Sequence, residues 1–111
     1  MNIVQKNNDK AAIVVLSGRI DSVTSTEFDK FITNIIEENS FNNIILNLAE
    51  VDYLSSAGLR VILLGAKKIK EKNGKLIICC LSGNAEEVFN LTGFSGIFPI
   101  FKTEEEAAGS L

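Results

Sequence analysis

Apolar and polar positions fall into blocks along the chain, and each block carries its own period. Residues 2–5 and 11–16 are short apolar runs separated by a polar stretch in which Asn8-Asp9 supplies turn chemistry, so the chain is expected to open with a β-hairpin. Gly18 is expected to end the second strand. Thr24 with Glu27 three residues later has the form of a capping box, and Phe28, Phe31, Ile32, Ile35 and Ile36 then recur at helical spacing among charged residues. That predicts a helix with one stripe against a sheet, closed by Asn39-Ser40. Residues 44–48 are nearly continuous apolar, as a central strand covered on both faces requires.

The run 59–72 is amphipathic: Leu59, Ile62, Leu63, Ala66 and Ile69 form a sheet-facing stripe, with Arg60, Leu64, Lys67 and Glu71 on the other side. Asn73-Gly74 supplies a stop able to take positive φ, and residues 75–81 read as a second buried strand. Asn84 with Glu87 offers an N-cap pair for a short third helix that Gly93 ends. Residues 97–101 suit a last strand at a sheet edge because of Pro99, and Thr103 with Glu106 caps a short terminal helix. Strand and helix alternate after the hairpin, which predicts a single α/β domain over residues 1–111. Its sheet should be mixed and mostly parallel, with right-handed crossovers and about four helices.

Composition narrows the function classes. With 46% apolar residues in 111, the chain can bury a core. A net charge of −3 argues against a nucleic-acid surface, and the group Lys67, Lys68, Lys70, Lys72 and Lys75 reads as a solvated helix face. Histidine is absent, which removes Ser-His-Asp and Cys-His machinery and the commonest zinc ligand; no metal site and no catalytic residue are expected. Cys79-Cys80 lacks metal-type spacing, and neighbours in a strand point to opposite faces, so both read as small buried hydrophobes. No apolar run approaches the ~18 residues of a spanning helix, and the N-terminus has no signal-type apolar region, so a cytoplasmic protein is the expectation.

The candidate chemistry lies in Asp52-Tyr53-Leu54-Ser55-Ser56-Ala57-Gly58-Leu59-Arg60, where a strand hands over to a helix. The unpaired N–H groups and positive dipole end of a helix start favour an anion. Ser55 and Ser56 have three possible uses: a helix N-cap, a nucleophile for which the sequence offers no histidine base, or an exposed phosphoacceptor. Phosphorylation there would add about −1.5 to −2 charges at a place the dipole tolerates but a docked acidic or apolar partner does not. Leu64, on the polar side beside Val61, could extend such a docking patch. Asn47, inside an apolar strand, must find hydrogen-bond partners or touch a ligand.

The segment Tyr53-Leu54-Ser55-Ser56-Ala57-Gly58-Leu59-Arg60-Val61-Ile62-Leu63 resembles the signature of bacterial anti-sigma factor antagonists, the STAS domains. Gly18-Arg19-Ile20-Asp21, Ile45-Leu46-Asn47-Leu48 and Leu91-Thr92-Gly93-Phe94 agree with it in order and spacing. The resemblance implies a STAS-type domain that is not an enzyme and holds no cofactor. Its phosphoacceptor would be Ser56, with Asp21 and Asn47 lining the surface near it; joined to the residues of the turn and to Leu64, they make the expected partner-binding set Asp21, Asn47, Ser55, Ser56, Gly58, Leu59 and Leu64. It also implies a serine-kinase-type anti-sigma factor that binds the unphosphorylated form, carries the ATP itself and releases its sigma factor, and a serine phosphatase as a further partner. One position departs: well-studied members carry Asp immediately before the acceptor, where this chain has Ser55. Ser55 thus stands as the alternative acceptor or as the cap, and a STAS module that senses a small ligand or scaffolds a complex without phosphorylation is the alternative function.

Overall fold

A computed structural model describes residues 1–38 and 41–111. The expected closure of the first helix at Asn39-Ser40 lies outside the described residues. The elements follow in the order β1 (Asn2–Asn7), β2 (Ala11–Ile20), α1 (Thr24–Glu38), β3 (Asn43–Leu54), α2 (Ser56–Glu71), β4 (Lys75–Cys79), α3 (Gly83–Leu91), a 3₁₀ turn (Phe94–Gly96), β5 (Ile100–Phe101) and α4 (Glu104–Gly109). They build one five-stranded sheet ordered β1-β2-β3-β4-β5, antiparallel between β1 and β2 and parallel thereafter. The mixed α/β architecture is the expected one.

Period-two alternation divides the sheet into two faces. Val14, Leu16, Ile44, Leu46, Leu48, Leu76 and Ile78 pack against Phe28 and Ile32 of α1, Leu59, Ile62 and Ile69 of α2, and Phe89 of α3. Their neighbours Ile13, Ile45, Ile77 and Cys79 face the other way, onto Ala107 of α4. Among the described residues, three helices therefore cover one face and a single short helix the other. A fully buried Phe28 or Leu46 side chain contributes about 1.5–3 kcal/mol through the area it removes from water.

Several boundaries differ from those expected. β2 does not stop at Gly18: Gly18 takes φ +91° and the strand continues to Ile20 through two register shifts against β3. A bulge at a residue without Cβ bends the pair and lets it go on. β3 likewise runs on to Leu54, although its pairing with β4 ends at Asn47–Cys79. The last strand shrinks to Ile100–Phe101, because Phe98 leaves the edge to pack on Phe89 and Phe94, with ring centroids 6.1 and 5.8 Å away. At the end of α2 it is Asn73 that takes positive φ (63°). Gly74 is needed for another reason, since a Cβ there would overlap the Asn42 carbonyl.

The cysteines also separate. Cys79 is buried at the end of β4, and burial, followed by the neighbouring Cys80 thiol, pushes its pKa up to about 12. Cys80 lies beyond the strand, is only half-buried and takes φ +63°, so it is not the buried strand residue expected.

Candidate functional site

The extension of β2 and β3 past β4 places Ile20 opposite Leu54 and builds the strand-to-helix turn at its tip. The Ser55 N–H donates to the Ile20 carbonyl (2.9 Å), which fixes the entry to α2. Ser55 has extended backbone (φ −86°, ψ 169°); its Oγ accepts from the Gly58 N–H (3.2 Å) and its carbonyl accepts from the Leu59 N–H (3.0 Å). Those bonds define an N-cap. Ser56 is the first helical residue and is exposed, and among the described residues its hydroxyl has no hydrogen-bond partner. One serine completes the helix start and the other leaves a free alcohol beside it.

Gly58 and Leu59, both expected among the partner-binding residues, point inward, Leu59 as its place in the sheet-facing stripe predicts. A Cβ on Gly58 would lie 2.7 Å from Ile20 Cγ2 and from Leu54 Cδ1, so glycine is what lets α2 seat on the ribbon. Leu59 is 5% exposed and belongs to the core. Both shape the turn from beneath.

Asp21 holds the neighbouring loop. Its Oδ1 accepts from the Val23 and Thr24 N–H groups (3.0 and 2.9 Å), while Thr24 Oγ1 accepts from the Asp21 N–H (2.9 Å). The capping box of α1 is therefore Asp21 with Thr24, one turn before the expected Thr24 with Glu27. The Thr24 N–H bond is the main cause holding the Asp21 carboxyl below its ordinary 3.8, against some desolvation, with the Thr24 hydroxyl, the Val23 N–H and the Arg19 charge adding to it. Arg19 Nε stands 3.8 Å from Asp21 Oδ2, and its guanidinium lies 4.3 Å over the Tyr53 ring, a cation–π pair. Asn84 does not cap α3. Its Oδ1 accepts from the Leu54 N–H (2.9 Å) and hooks α3 to the strand end before the turn.

A groove of about 510 Å³ opens between α1 and α2 beside the free serine. Ser25, Thr26 and Asp29 line one wall, and Ser56, Arg60 and Leu64 line the other. The last three, at i, i+4 and i+8, form one ridge along α2. Leu64 is 43% exposed on that ridge, while Val61 beside it is buried in the core. Arg60 was missed as a site residue, though its i+4 spacing from Ser56 was the signal available. Thr24 and Asn84 act through backbone groups that a side-chain pattern does not reveal.

Asn47 is not brought to this turn. It projects on the α4 face of the sheet, where its Nδ2 donates to Glu104 Oε1 (3.0 Å) and its Oδ1 accepts from the Ala49 N–H (3.0 Å). Leu54 lies seven residues further along β3, about 20 Å at strand rise, and α2 sits on the opposite face. No group of three or more His, Cys, Asp or Glu side chains among the described residues could hold a metal ion. What the turn offers chemically is a solvent-facing alcohol at a helix N-terminus, flanked by a groove with an apolar edge.

The family model described as STAS domain matches residues 2–107. BtrV of Bordetella bronchiseptica, which is named for an anti-sigma factor antagonist role, is 33% identical over 110 residues, covering 99% of this chain and 94% of that protein. The anti-sigma F factor antagonist of Paenibacillus polymyxa is 28% identical over 111 residues, covering 100% and 95%. Among solved structures, the Bacillus cell fate determinant SpoIIAA in its phosphorylated form superposes with a TM-score of 0.78 at 21% identity, covering 98% of each chain.

Proposed function

The chain belongs to the STAS domain family, and from that premise we propose that it is an anti-sigma factor antagonist switched by phosphorylation of Ser56. In this reading the unphosphorylated protein binds a serine-kinase-type anti-sigma factor, which then releases its sigma factor. The partner brings the ATP, and a serine phosphatase resets the switch. The observation that carries the proposal is the division of labour at the turn: Ser55 caps α2, so the Ser56 hydroxyl is exposed and uncommitted. Relatives named as anti-sigma factor antagonists, aligned over nearly the full chain, support the partner class.

The switch needs no change of fold. A phosphate on Ser56 adds about −1.5 to −2 charges at the N-terminus of α2, where the helix dipole favours it. A partner seated on the ridge of Ser56, Arg60 and Leu64 would then have to bury a double charge. Losing an interaction worth about 1.4 kcal/mol lowers affinity tenfold, and desolvating a phosphate costs more than that. Asp21 and Arg19 at the tip of the ribbon extend the docking surface, whereas Asn47, on the far face, does not belong to it.

Incubation with the cognate kinase-type anti-sigma factor and Mg-ATP, followed by peptide mass mapping, should place one phosphate on Ser56 and none on Ser55. An unmodified Ser56 in that reaction rules out the phosphoswitch. A Ser56→Asp chain that kept full affinity for the partner would rule out the charge mechanism even if phosphorylation occurred.

A further inference from the structure

A second groove, of about 690 Å³, lies at the other end of α2, between that helix and the segment leading into β5. Leu63 and Ala66 of α2 line it together with Ile97, and Lys67, Lys70 and Lys75 stand around it; no carboxylate is among its lining residues. Leu63, Ala66, Lys67 and Lys70 fall at i, i+3, i+4 and i+7, so they share one helix face. Ile97 is 62% exposed, which makes the apolar part of this surface neither core nor ordinary polar exterior.

Solvation of a helix end accounts for some of these lysines, since cations are favoured in the last turn of α2. It does not account for Lys67, which precedes that turn, or for Lys75, which starts β4. Lys67, Lys68, Lys70, Lys72 and Lys75 are five of the chain's eleven basic residues, concentrated in nine positions of a protein whose net charge is −3. Lys72 is used internally, donating to the Ile36 carbonyl (2.7 Å). Lys67, Lys70 and Lys75 make no ion pair among the described residues.

We propose that this groove docks an acidic amphipathic helix of a protein partner. An apolar floor ringed by unpaired cations is complementary to a helix whose i, i+3/i+4 and i+7 apolar anchors are flanked by Glu and Asp. Leu63 to Lys70 spans about 10 Å of α2, which matches two turns of such a helix lying alongside. The groove and the Ser56 ridge adjoin along α2, with Leu63 lining the one and Leu64 the other, while Lys70 at the groove's far end lies about 20 Å along the helix from Ser56; the docking does not depend on the role assigned to Ser56.

The test is a titration of the full ¹⁵N-labelled chain with a synthetic helical peptide carrying a Leu stripe flanked by Glu, against the same peptide with Lys in place of Glu. The Glu peptide should shift the amides of Leu63, Ala66, Lys67, Gly74 and Ile97 with a Kd of tens of micromolar, and leave Ser56 unmoved. Binding should weaken about fivefold or more at 0.5 M salt, where exposed charges are screened. The double variant Lys67→Glu/Lys70→Glu should lose it, and Ser56→Asp should keep it. The proposal is overturned by absence of shifts up to about 1 mM Glu peptide or by equal binding of the Lys peptide. Shifts centred on Ser56 and Leu64 also overturn it, as does occupation of the groove by a second copy, seen as concentration-dependent shifts without peptide. Decanoate displacing the peptide at lower concentration would assign the groove to a small anionic amphiphile instead.

Discussion

Two adjacent serines differ in their bonding, and that difference is measurable without any partner. Ser55 Oγ accepts from the Gly58 N–H, so Ser55→Ala removes a cap and should cost about 1 kcal/mol, within the 0.5–2 range of such caps, as a lower urea midpoint at unchanged slope. Ser56, exposed and without a hydroxyl partner, should tolerate Ala within about 0.5 kcal/mol. Equal losses from both variants would mean that Ser56 shares the capping and is less available than its exposure suggests. The sequence placed both hydroxyls at the turn but could not rank them, because capping depends on ψ at one residue and on which oxygen meets the Gly58 N–H. Burial of Gly58 was hidden for a related reason: a glycine beside serines reads as an open turn until Ile20 and Leu54 are seen beneath it, whereas the helical stripe already turned Leu59 toward the sheet.

At the level of elements, hydrophobic periods located the central strands and the two long helices, because each buried stripe must face the sheet whatever its neighbours do, while cap-type residue pairs pointed to the two short helices and the 3₁₀ turn at Phe94–Gly96 was not foreseen. Ends were less legible where long-range contacts set them. The β2–β3 ribbon outlasts the apolar run of residues 44–48 because a bulge at Gly18 and the pairing of Arg19 with Tyr53 continue it through polar residues. The capping box of α1 moved to Asp21 with Thr24 because Thr24 Oγ1 also reaches the Arg19 carbonyl (2.9 Å), a bond that anchors the box to the ribbon. Asn84 holds the same ribbon from the other side. Asn84→Ala would leave the part-buried Leu54 N–H without its acceptor, and the desolvation of that group should cost about 1–3 kcal/mol. Hydrogen exchange gives a local readout: the Leu54 amide should exchange faster in the variant by more than the amides of β4, and a uniform change across the sheet would show that Asn84 only adds to global stability.

Across the whole molecule, the sparsely covered sheet face is tied together by one carboxylate. Glu104 at the start of α4 accepts from Asn47 of β3 (3.0 Å) and pairs with Lys6 Nζ of β1 (2.8 Å), so a single side chain joins the first strand, the centre of the sheet and the last helix. This employment explains Asn47, whose position in an apolar strand implied a partner without saying which, since that partner is 57 residues away in sequence. Burial alone would raise the Glu104 carboxyl, but the Lys6 and Asn47 hydrogen bonds and the Lys6 charge outweigh it and hold it below its ordinary 4.5. A folded-state pKa below the unfolded one means that the link is fully present above about pH 4.5 and is lost as pH falls through the folded value. Glu104→Gln removes that titration, so the stability gap between the parent chain and the variant should be widest at neutral pH and should narrow below pH 4.5. Urea midpoints at a series of pH values measure that gap directly. A gap that stayed constant down to acid pH would show that the amide loses packing or hydrogen-bond geometry and not the charge. Because Lys6 is more than half exposed, added salt should also reduce the gap at neutral pH, leaving the share that belongs to the sheltered Asn47 bond.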